Sequence, residues 1–114
     1  NIRDWIFVDD HCRALKLVLD KGVLGTSYNI GGNFEIRNID LVNSICSYFD
    51  KTKPQKNMKY SDLITFVEDR LGHDKRYSVN NKKVFRELNW SPLVCFEDGL
   101  RITIDWYIRK IISQ

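Results

Sequence analysis

Apolar residues recur at intervals of three and four positions in four parts of the chain, and this spacing is typical of amphipathic helices. The first of these segments follows two aspartates, and the last is long and ends close to the final residue. Glycine, proline or asparagine lies next to three of them, as expected where helices begin or end. The pattern predicts helices at residues 11–21, 38–50, 82–88 and 96–112.

Short runs rich in aromatic and β-branched residues lie between the predicted helices, and such runs are typical of strands. We predict strands at residues 4–8, 26–30, 34–37 and 63–67. Short strands alternating with amphipathic helices indicate an α/β fold with a small mixed sheet and about four helices. Several predicted connections are long, which favours an accessory substrate-binding lobe over a complete doubly wound domain.

Several polar residues lie where the pattern places helix starts. Asp9 and Asp10 offer an N-cap and a first-turn negative charge for the first helix, and Asn38 is placed as the N-cap of the second. An acid–base pair is the alternative for the two aspartates. His11 falls on the predicted inner face of the first helix, so we predict that it is a core or interface histidine.

The most distinctive stretch is residues 68–77, which carries three cationic side chains, a histidine and a glycine within ten positions. Arg70 offers a planar fork that matches phosphate or carboxylate oxygens, and His73 lies three residues later. Gly72 permits a backbone turn that other residues disfavour. The sequence therefore predicts an anion-binding loop, with a solvated loop of local ion pairs as the alternative.

Composition limits the classes of function. The chain has 114 residues, of which 43% are hydrophobic and 29% charged, and this is ordinary globular composition. The net charge of +3 comes without a basic run, so we expect no nucleic-acid partner. No stretch approaches the roughly 20 apolar residues of a membrane span, so no membrane partner is expected. The cysteines, Cys12, Cys46 and Cys95, are predicted to be buried free thiols.

Recognised catalytic and metal-binding motifs are missing from the sequence, so we predict no catalytic residue and no metal site. The pair Gly31 and Gly32 follows a predicted strand but lacks the spacing of a nucleotide loop, and a tight turn is the expected role. An anion site is better supported. If the strands bring them together, four residues would surround a diphosphate: Arg3, Asn38, Arg70 and His73.

Four stretches resemble, in order and spacing, the C-terminal part of the dTDP-glucose 4,6-dehydratases, a group within the extended short-chain dehydrogenase/reductase family. The similarity covers nearly the whole chain, and the run Asp-Arg-x-Gly-His-Asp-x-Arg-Tyr is its narrowest signature. Leu71 departs from this pattern, because the family usually has proline there. The four stretches are residues 2–11, 28–32, 69–77 and 99–107.

The resemblance implies that residues 1–114 are a C-terminal lobe that binds a dTDP-sugar. Arg3 and Arg70 would hold the diphosphate, and His73 and Asn38 the phosphate or sugar side of the nucleotide. In the family, NAD and the catalytic residues belong to an N-terminal Rossmann domain whose motifs are absent here. The resemblance thus implies that this domain is the partner of the lobe, in a cytoplasmic enzyme expected to be a homodimer.

The chain starts at Asn1 without a methionine, so we expect it to be part of a longer protein. Three alternatives to this lobe remain open. One is the lobe of an epimerase or dehydratase that uses a UDP-sugar or a GDP-sugar. Another is a non-catalytic phosphate-binding or interaction module. The third is a chain that mainly self-associates, through apolar surfaces that would otherwise pack on the Rossmann half.

Overall fold

Four α-helices and two short strands make up the regular structure of residues 1–113, which the computed structural model describes. All four predicted helices are present. In chain order the elements are β1 (Ile2–Asp4), α1 (Val8–Lys21), β2 (Glu35–Arg37), α2 (Asn38–Thr52), a 3-10 turn (Tyr60–Leu63), α3 (Lys82–Leu88) and α4 (Phe96–Ile112).

The sheet is small, as the sequence predicts, and consists of β1 and β2 with one isolated bridge on the other edge of β1. On one edge β1 pairs antiparallel with β2, in a register that places Ile2 opposite Arg37. On its other edge Ile2 forms a parallel bridge with Arg76. The backbone N–H of Ile2 donates to the Lys75 carbonyl at 2.6 Å, and that of Tyr77 donates to the Ile2 carbonyl at 3.0 Å. β1 therefore joins the start of α2 to the loop at residues 68–77.

Three of the four strand predictions are wrong. The first strand lies earlier, at Ile2–Asp4, and the chain already turns into α1 at Val8. Residues 26–30 and 63–67 have the composition of strands, but no neighbouring segment pairs with them. Strand propensity is a preference for a paired, half-buried surface, and an apolar run without a pairing partner stays irregular. Only β2 lies where the pattern places it.

The helix bounds follow the pattern closely, whereas the N-caps predicted for α1 and α2 are wrong. α4 spans the predicted residues, but α2 has Arg37 at its N-cap position and Asn38 as its first helical residue. Phe7 is the N-cap of α1, so neither Asp9 nor Asp10 caps that helix. Neither cap residue forms a capping hydrogen bond through its side chain, and the acidic residues of the first turn instead favour the helix dipole.

Asp10 connects α1 to the segment before α4. Its carboxylate is buried and accepts hydrogen bonds from the backbone N–H groups of Leu93 and Val94, at 3.0 and 2.9 Å, and from Arg13 at 2.9 Å. Burial alone would raise the pKa of Asp10, but the donors, led by Val94, together hold it below its ordinary value. A buried carboxylate with this many donors stays ionised and fixes the position of the chain before α4.

The core is small and lies between α1 and α3. Ala14, Val84 and Trp90 have no exposed surface, and the Trp90 indole N–H donates to the Asp10 carbonyl at 3.2 Å. Around them pack several partly buried apolar residues: Ile6, Leu17, Tyr28, Ile30 and Leu88.

Much apolar surface remains open. The radius of gyration is 17.3 Å, whereas a compact domain of this length has about 13 Å. His11 and Leu19 of α1 are exposed, so a core position for His11 is wrong, and an interface position stays a prediction. A groove of about 850 Å³ runs between the start of α1, α2 and α4 and is lined mainly by apolar side chains. An exposed apolar face of this extent is typical of a surface that packs against other protein.

The three cysteines are free thiols, as predicted, but two of them are exposed. Cys12 lies on the solvent side of α1, and Cys95 lies at the start of α4, where its thiol donates to Asp98 at 3.3 Å. The expectation that all three are buried is therefore wrong.

Candidate functional site

An ion pair holds the 68–77 loop against the sheet. Arg76 donates from Nε to Oε2 of Glu35 at 2.7 Å and from Nη2 to Oε1 at 2.9 Å, and Ser78 adds a hydrogen bond at 2.6 Å. These donors, Arg76 first, lower the pKa of Glu35 to about 2. Together with the parallel bridge at Ile2, the pair fixes the C-terminal half of the loop beside β1.

The loop brings His73 into contact with Arg3 of β1. Nη2 of Arg3 lies 2.7 Å from Nε2 of His73, and Nδ1 of His73 lies 2.5 Å from Oδ1 of Asp69. Gly72, immediately before His73, has a φ of +68°, so the glycine supplies the turn that the sequence predicts. The hydrogen bond with His73, followed by one from Asn1, lowers the pKa of Asp69.

Arg3 is anchored at several points and still has free donors. Nη1 donates to the Ile2 carbonyl at 2.7 Å, and Nη2 also reaches the Asp74 carbonyl at 3.1 Å. Its guanidinium lies over the Tyr77 ring, 4.7 Å from the centroid, where a cation is attracted by the aromatic face. With His73, these contacts use three of the five N–H groups of the fork, leaving two for an anion.

Arg70 lies on the same loop with its side chain in solvent. Its backbone N–H donates to Oδ1 of Asp69 at 2.9 Å, which fixes the start of the turn. Asp74 raises the pKa of Tyr77 by hydrogen bonding and by charge, while Arg3 and Arg70 act in the opposite direction. Of the two arginines, Arg3 is the one in direct contact with the Tyr77 ring.

Asn38 reaches the cluster through Asn1. The backbone N–H of Asn38 donates to the Asn1 carbonyl at 2.9 Å, and the Asn1 side chain donates to Oδ2 of Asp69 at 3.2 Å. The amide oxygen of Asn38 is buried and has no hydrogen-bond partner among residues 1–113. An unsatisfied buried acceptor is uncommon in folded proteins, and it indicates a position suited to a hydrogen-bond donor.

The four predicted site residues thus lie in one region, but only some of them are in direct contact with one another. Arg3 and His73 are in direct contact, Arg70 is linked to them through Asp69, and Asn38 is one residue further away. Their role in binding a substrate stays a prediction. Sequence reasoning missed three residues of the cluster, of which Asp69 had a usable signal, because a carboxylate four residues before a histidine suits a turn-closing pair. The other two are Asn1 and Tyr77.

Gly31 and Gly32 lie where other parts of the chain approach closely. A Cβ on Gly32 would overlap the Trp5 carbonyl, and one on Gly31 would overlap Asp4 and Val79. Gly32 therefore lets the backbone at Trp5 approach, and Gly31 leaves room for the side chains of Asp4 and Val79, so close packing rather than the expected tight turn explains both glycines. Neither has positive φ, whereas Gly72 does.

Residues 1–113 contain no group of three or more histidine, cysteine, aspartate or glutamate side chains placed to hold a metal ion. In the same part of the chain, no helix has both the length and the apolar character needed to cross a membrane.

Residues 1–103 match the family model described as GDP-mannose 4,6 dehydratase. The dTDP-glucose 4,6-dehydratase of Neisseria meningitidis serogroup B is 52% identical over 110 residues, covering 94% of this chain and 31% of that protein. The Escherichia coli protein of the same name is 49% identical, covering 94% of this chain and 29% of its own length. The chain thus spans about a third of the length of the curated relatives it matches.

Solved structures give the same result. The dTDP-glucose 4,6-dehydratase of Bacillus anthracis, in complex with NAD, superposes with a TM-score of 0.80 at 43% identity, covering 96% of this chain and 32% of that one. DesIV, the dTDP-glucose 4,6-dehydratase of Streptomyces venezuelae with NAD and TYD bound, gives 0.84 at 38% identity, covering 96% and 31%. The α/β lobe predicted from the sequence is therefore confirmed as a fold.

Proposed function

Because the chain belongs to the GDP-mannose 4,6 dehydratase family, we propose that it is the nucleotide-sugar-binding lobe of an NAD-dependent dTDP-glucose 4,6-dehydratase. Such an enzyme converts dTDP-glucose to dTDP-4-keto-6-deoxyglucose and water, a step toward the sugars of cell-surface polysaccharides. The curated relatives at about half identity carry this enzyme name over the matched region, which favours it over a UDP-sugar or GDP-sugar enzyme.

The observation that carries the proposal is the cluster of Arg3, His73 and Arg70 at the edge of the sheet. The Arg3 guanidinium lies over the Tyr77 ring and next to the His73 imidazole, and the exposed Arg70 on the same loop adds a second guanidinium, so both cations are available to a diphosphate. Arginine forks match phosphate oxygens in a bidentate way, which gives orientation as well as attraction. In this proposal Arg3 and Arg70 hold the diphosphate, and His73 and Asn38 contact the nucleotide.

The proposal assigns the chemistry to another part of the enzyme. NAD supplies hydride transfer when bound, and we place it on a Rossmann half that corresponds to the rest of the relatives' length. The residues of this lobe bind and orient the nucleotide, and they exclude water from the side they cover. By itself the lobe is expected to show no turnover, because it contributes binding without an acid, a base or a hydride carrier.

The open groove supports the proposed arrangement. Its apolar lining from Trp5 to Val8, together with α2 and α4, has the character of an interface rather than of a solvent-facing surface. We propose that the Rossmann half packs there, within a cytoplasmic enzyme whose parent assembly is a homodimer.

The test is a calorimetric or NMR titration of the chain with dTDP, with UDP and GDP as competing nucleotides. Saturable binding that prefers dTDP supports the proposal. Arg70→Ala is expected to weaken dTDP binding by about tenfold or more, since hydrogen bonds to a charged group are strong. Arg86→Ala is the matched control, because Arg86 is an exposed arginine on α3 whose recorded ion pair is with its neighbour Glu87.

Other outcomes would lead to other conclusions. Equal binding of all three nucleotides would leave a general phosphate site and contradict the assignment to dTDP-glucose. Tighter binding of UDP or GDP would assign the lobe to a different sugar-nucleotide enzyme. Binding of RNA with a steep salt dependence and no nucleotide preference would indicate an interaction module.

A further inference from the structure

The contacts of His73 define which of its ring nitrogens carries the proton. Arginine has donors and no acceptor, so Nε2 of His73, 2.7 Å from Nη2 of Arg3, must accept a hydrogen bond. The other nitrogen, Nδ1, lies 2.5 Å from Oδ1 of Asp69 and 3.3 Å from Nδ2 of Asn1, and of these two groups only the carboxylate can accept, so Nδ1 donates to Asp69 by the shorter contact. The ring is thus neutral, in the tautomer protonated at Nδ1.

This tautomer has a consequence for Arg3. With a proton on Nε2, the imidazole and the guanidinium would present donors to each other, and Nη2 of Arg3 would lose one of its two acceptors. The remaining acceptors of the fork are two backbone carbonyls, one on β1 and one on the loop. The orientation of Arg3 therefore depends on an atom of His73 that Asp69 controls from the opposite side of the ring.

We propose that Asp69 is a positioning residue, which holds His73 in the Nδ1-protonated tautomer so that Nε2 orients the Arg3 fork toward a bound diphosphate. The inference deepens the proposed function and depends on it for the identity of the anion. The proposed contacts lead from the half-exposed carboxylate of Asp69, through the mostly buried imidazole of His73, to the guanidinium of Arg3.

A purely electrostatic role for Asp69 predicts the opposite result. Asp69 is a negative charge near a site proposed to bind a diphosphate, and on Coulombic grounds its removal would strengthen anion binding. The positioning role predicts that removal weakens binding, because Arg3 loses its orientation. The sign of the change therefore separates the two explanations.

Three variants make the test specific. Asp69→Ala removes both the charge and the acceptor, whereas Asp69→Asn keeps an acceptor oxygen and removes the charge. Glu68→Ala is the control. It removes one carboxylate at the adjacent position, and Glu68 is not among the residues that contact the His73 ring. Circular dichroism of each variant shows whether the chain stays folded.

The first readout needs no nucleotide. Nitrogen-15 NMR of the ligand-free chain is expected to show His73 protonated at Nδ1 in the unchanged protein, in Asp69→Asn and in Glu68→Ala. In Asp69→Ala we expect the Nε2-protonated form to dominate and the Arg3 side-chain Nε resonance to show increased motion. An unchanged tautomer and an unchanged Arg3 resonance in Asp69→Ala would overturn the proposal, whatever the nucleotide result.

The second readout is affinity, with dTDP as the probe. Asp69→Ala is expected to bind roughly tenfold more weakly, while Asp69→Asn and Glu68→Ala bind at least as well as the unchanged chain. Equal or tighter binding by Asp69→Ala would contradict the positioning role. If the unchanged chain fails to bind dTDP, the proposed function fails, and the tautomer measurement still decides the role of Asp69.

Discussion

Arg76 and Glu35 lie 41 positions apart in the sequence and form a two-point ion pair, with N–O distances of 2.7 and 2.9 Å. β2 lies along one edge of β1, and the 68–77 loop lies along the other. The ion pair therefore connects the end of the loop to the strand on the far side of β1. The position of His73 next to Arg3 therefore depends partly on a contact made by other residues, several positions away.

The Glu35 contact predicts a specific dependence of stability on pH. The pKa of Glu35 is about 2 in the folded chain, below its ordinary value of 4.5, so the folded state binds fewer protons between these values. The stabilisation by Glu35 is thus complete above about pH 4.5 and is lost as the pH falls toward 2. Urea unfolding from pH 2 to 7, compared between the unchanged chain and Glu35→Gln, measures the difference.

The comparison removes the contribution of other carboxylates whose pKa is also lowered, among them Asp10, Asp40 and Asp69. A constant difference in the free energy of unfolding across this pH range would show that the Arg76 contact is not formed in solution.

Asp10→Ala is expected to be strongly destabilising. The change leaves two backbone N–H groups, of Leu93 and Val94, without their acceptor and removes the partner of Arg13. We expect a loss of about 2–4 kcal/mol in the free energy of unfolding, measured by urea denaturation. Asp9→Ala is the control, since it removes an exposed carboxylate from the same helical turn and should cost far less.

Trp90→Ala and Trp106→Ala are expected to differ widely. Trp90 is completely buried and donates to the Asp10 carbonyl, so its removal leaves a large cavity and should cost about 3–5 kcal/mol. Trp106 is 48% exposed and packs edge-on against Tyr107, and its removal should cost about 1 kcal/mol or less. Similar unfolding energies for the two variants would contradict the assignment of the core to Trp90.

Gly72→Ala and Gly25→Ala form a matched pair. Both glycines have positive φ, +68° and +75°, and a Cβ would meet nothing within 4 Å at either position. Each substitution should therefore cost about 1 kcal/mol through backbone strain alone. Only Gly72→Ala is expected to weaken dTDP binding, because His73 follows the turn directly. Equal dTDP affinities in the two variants would show that the turn does not position the site.

Elements whose structure depends on local pattern could be predicted from the sequence. The amphipathic period sets α4 at Phe96–Ile112, as observed, and the basic loop with its glycine turn also follows from residue types. The predicted strand at residues 63–67 failed for a different reason. Its composition suits a sheet, but pairing depends on which segment lies alongside, and no local pattern contains that information.

The same distinction applies to the site. The residue types of Arg3, Arg70 and His73 indicate an anion site. Arg3 and His73 are brought into contact because β1 pairs with the loop. Asp69 and Asn1 were missed because their importance lies in which side of the His73 ring they contact. The exposed position of His11 could not be predicted either. Helical periodicity identifies which residues share a face of the helix, but it does not show whether another segment packs on that face.

The two backbone hydrogen bonds of Ile2 allow the opening of the Arg3–His73 cluster to be measured. Its N–H and its carbonyl connect β1 to Lys75 and Tyr77, and its neighbour Arg3 contacts His73. The cluster comes apart only when these two bonds, the contacts of Arg3 with the loop and the Arg76–Glu35 pair open together, and we expect this to be a local opening rather than global unfolding. Hydrogen exchange at the amides of Ile2 and Tyr77 therefore reports how often the cluster comes apart, and a bound nucleotide should slow both amides by a common factor.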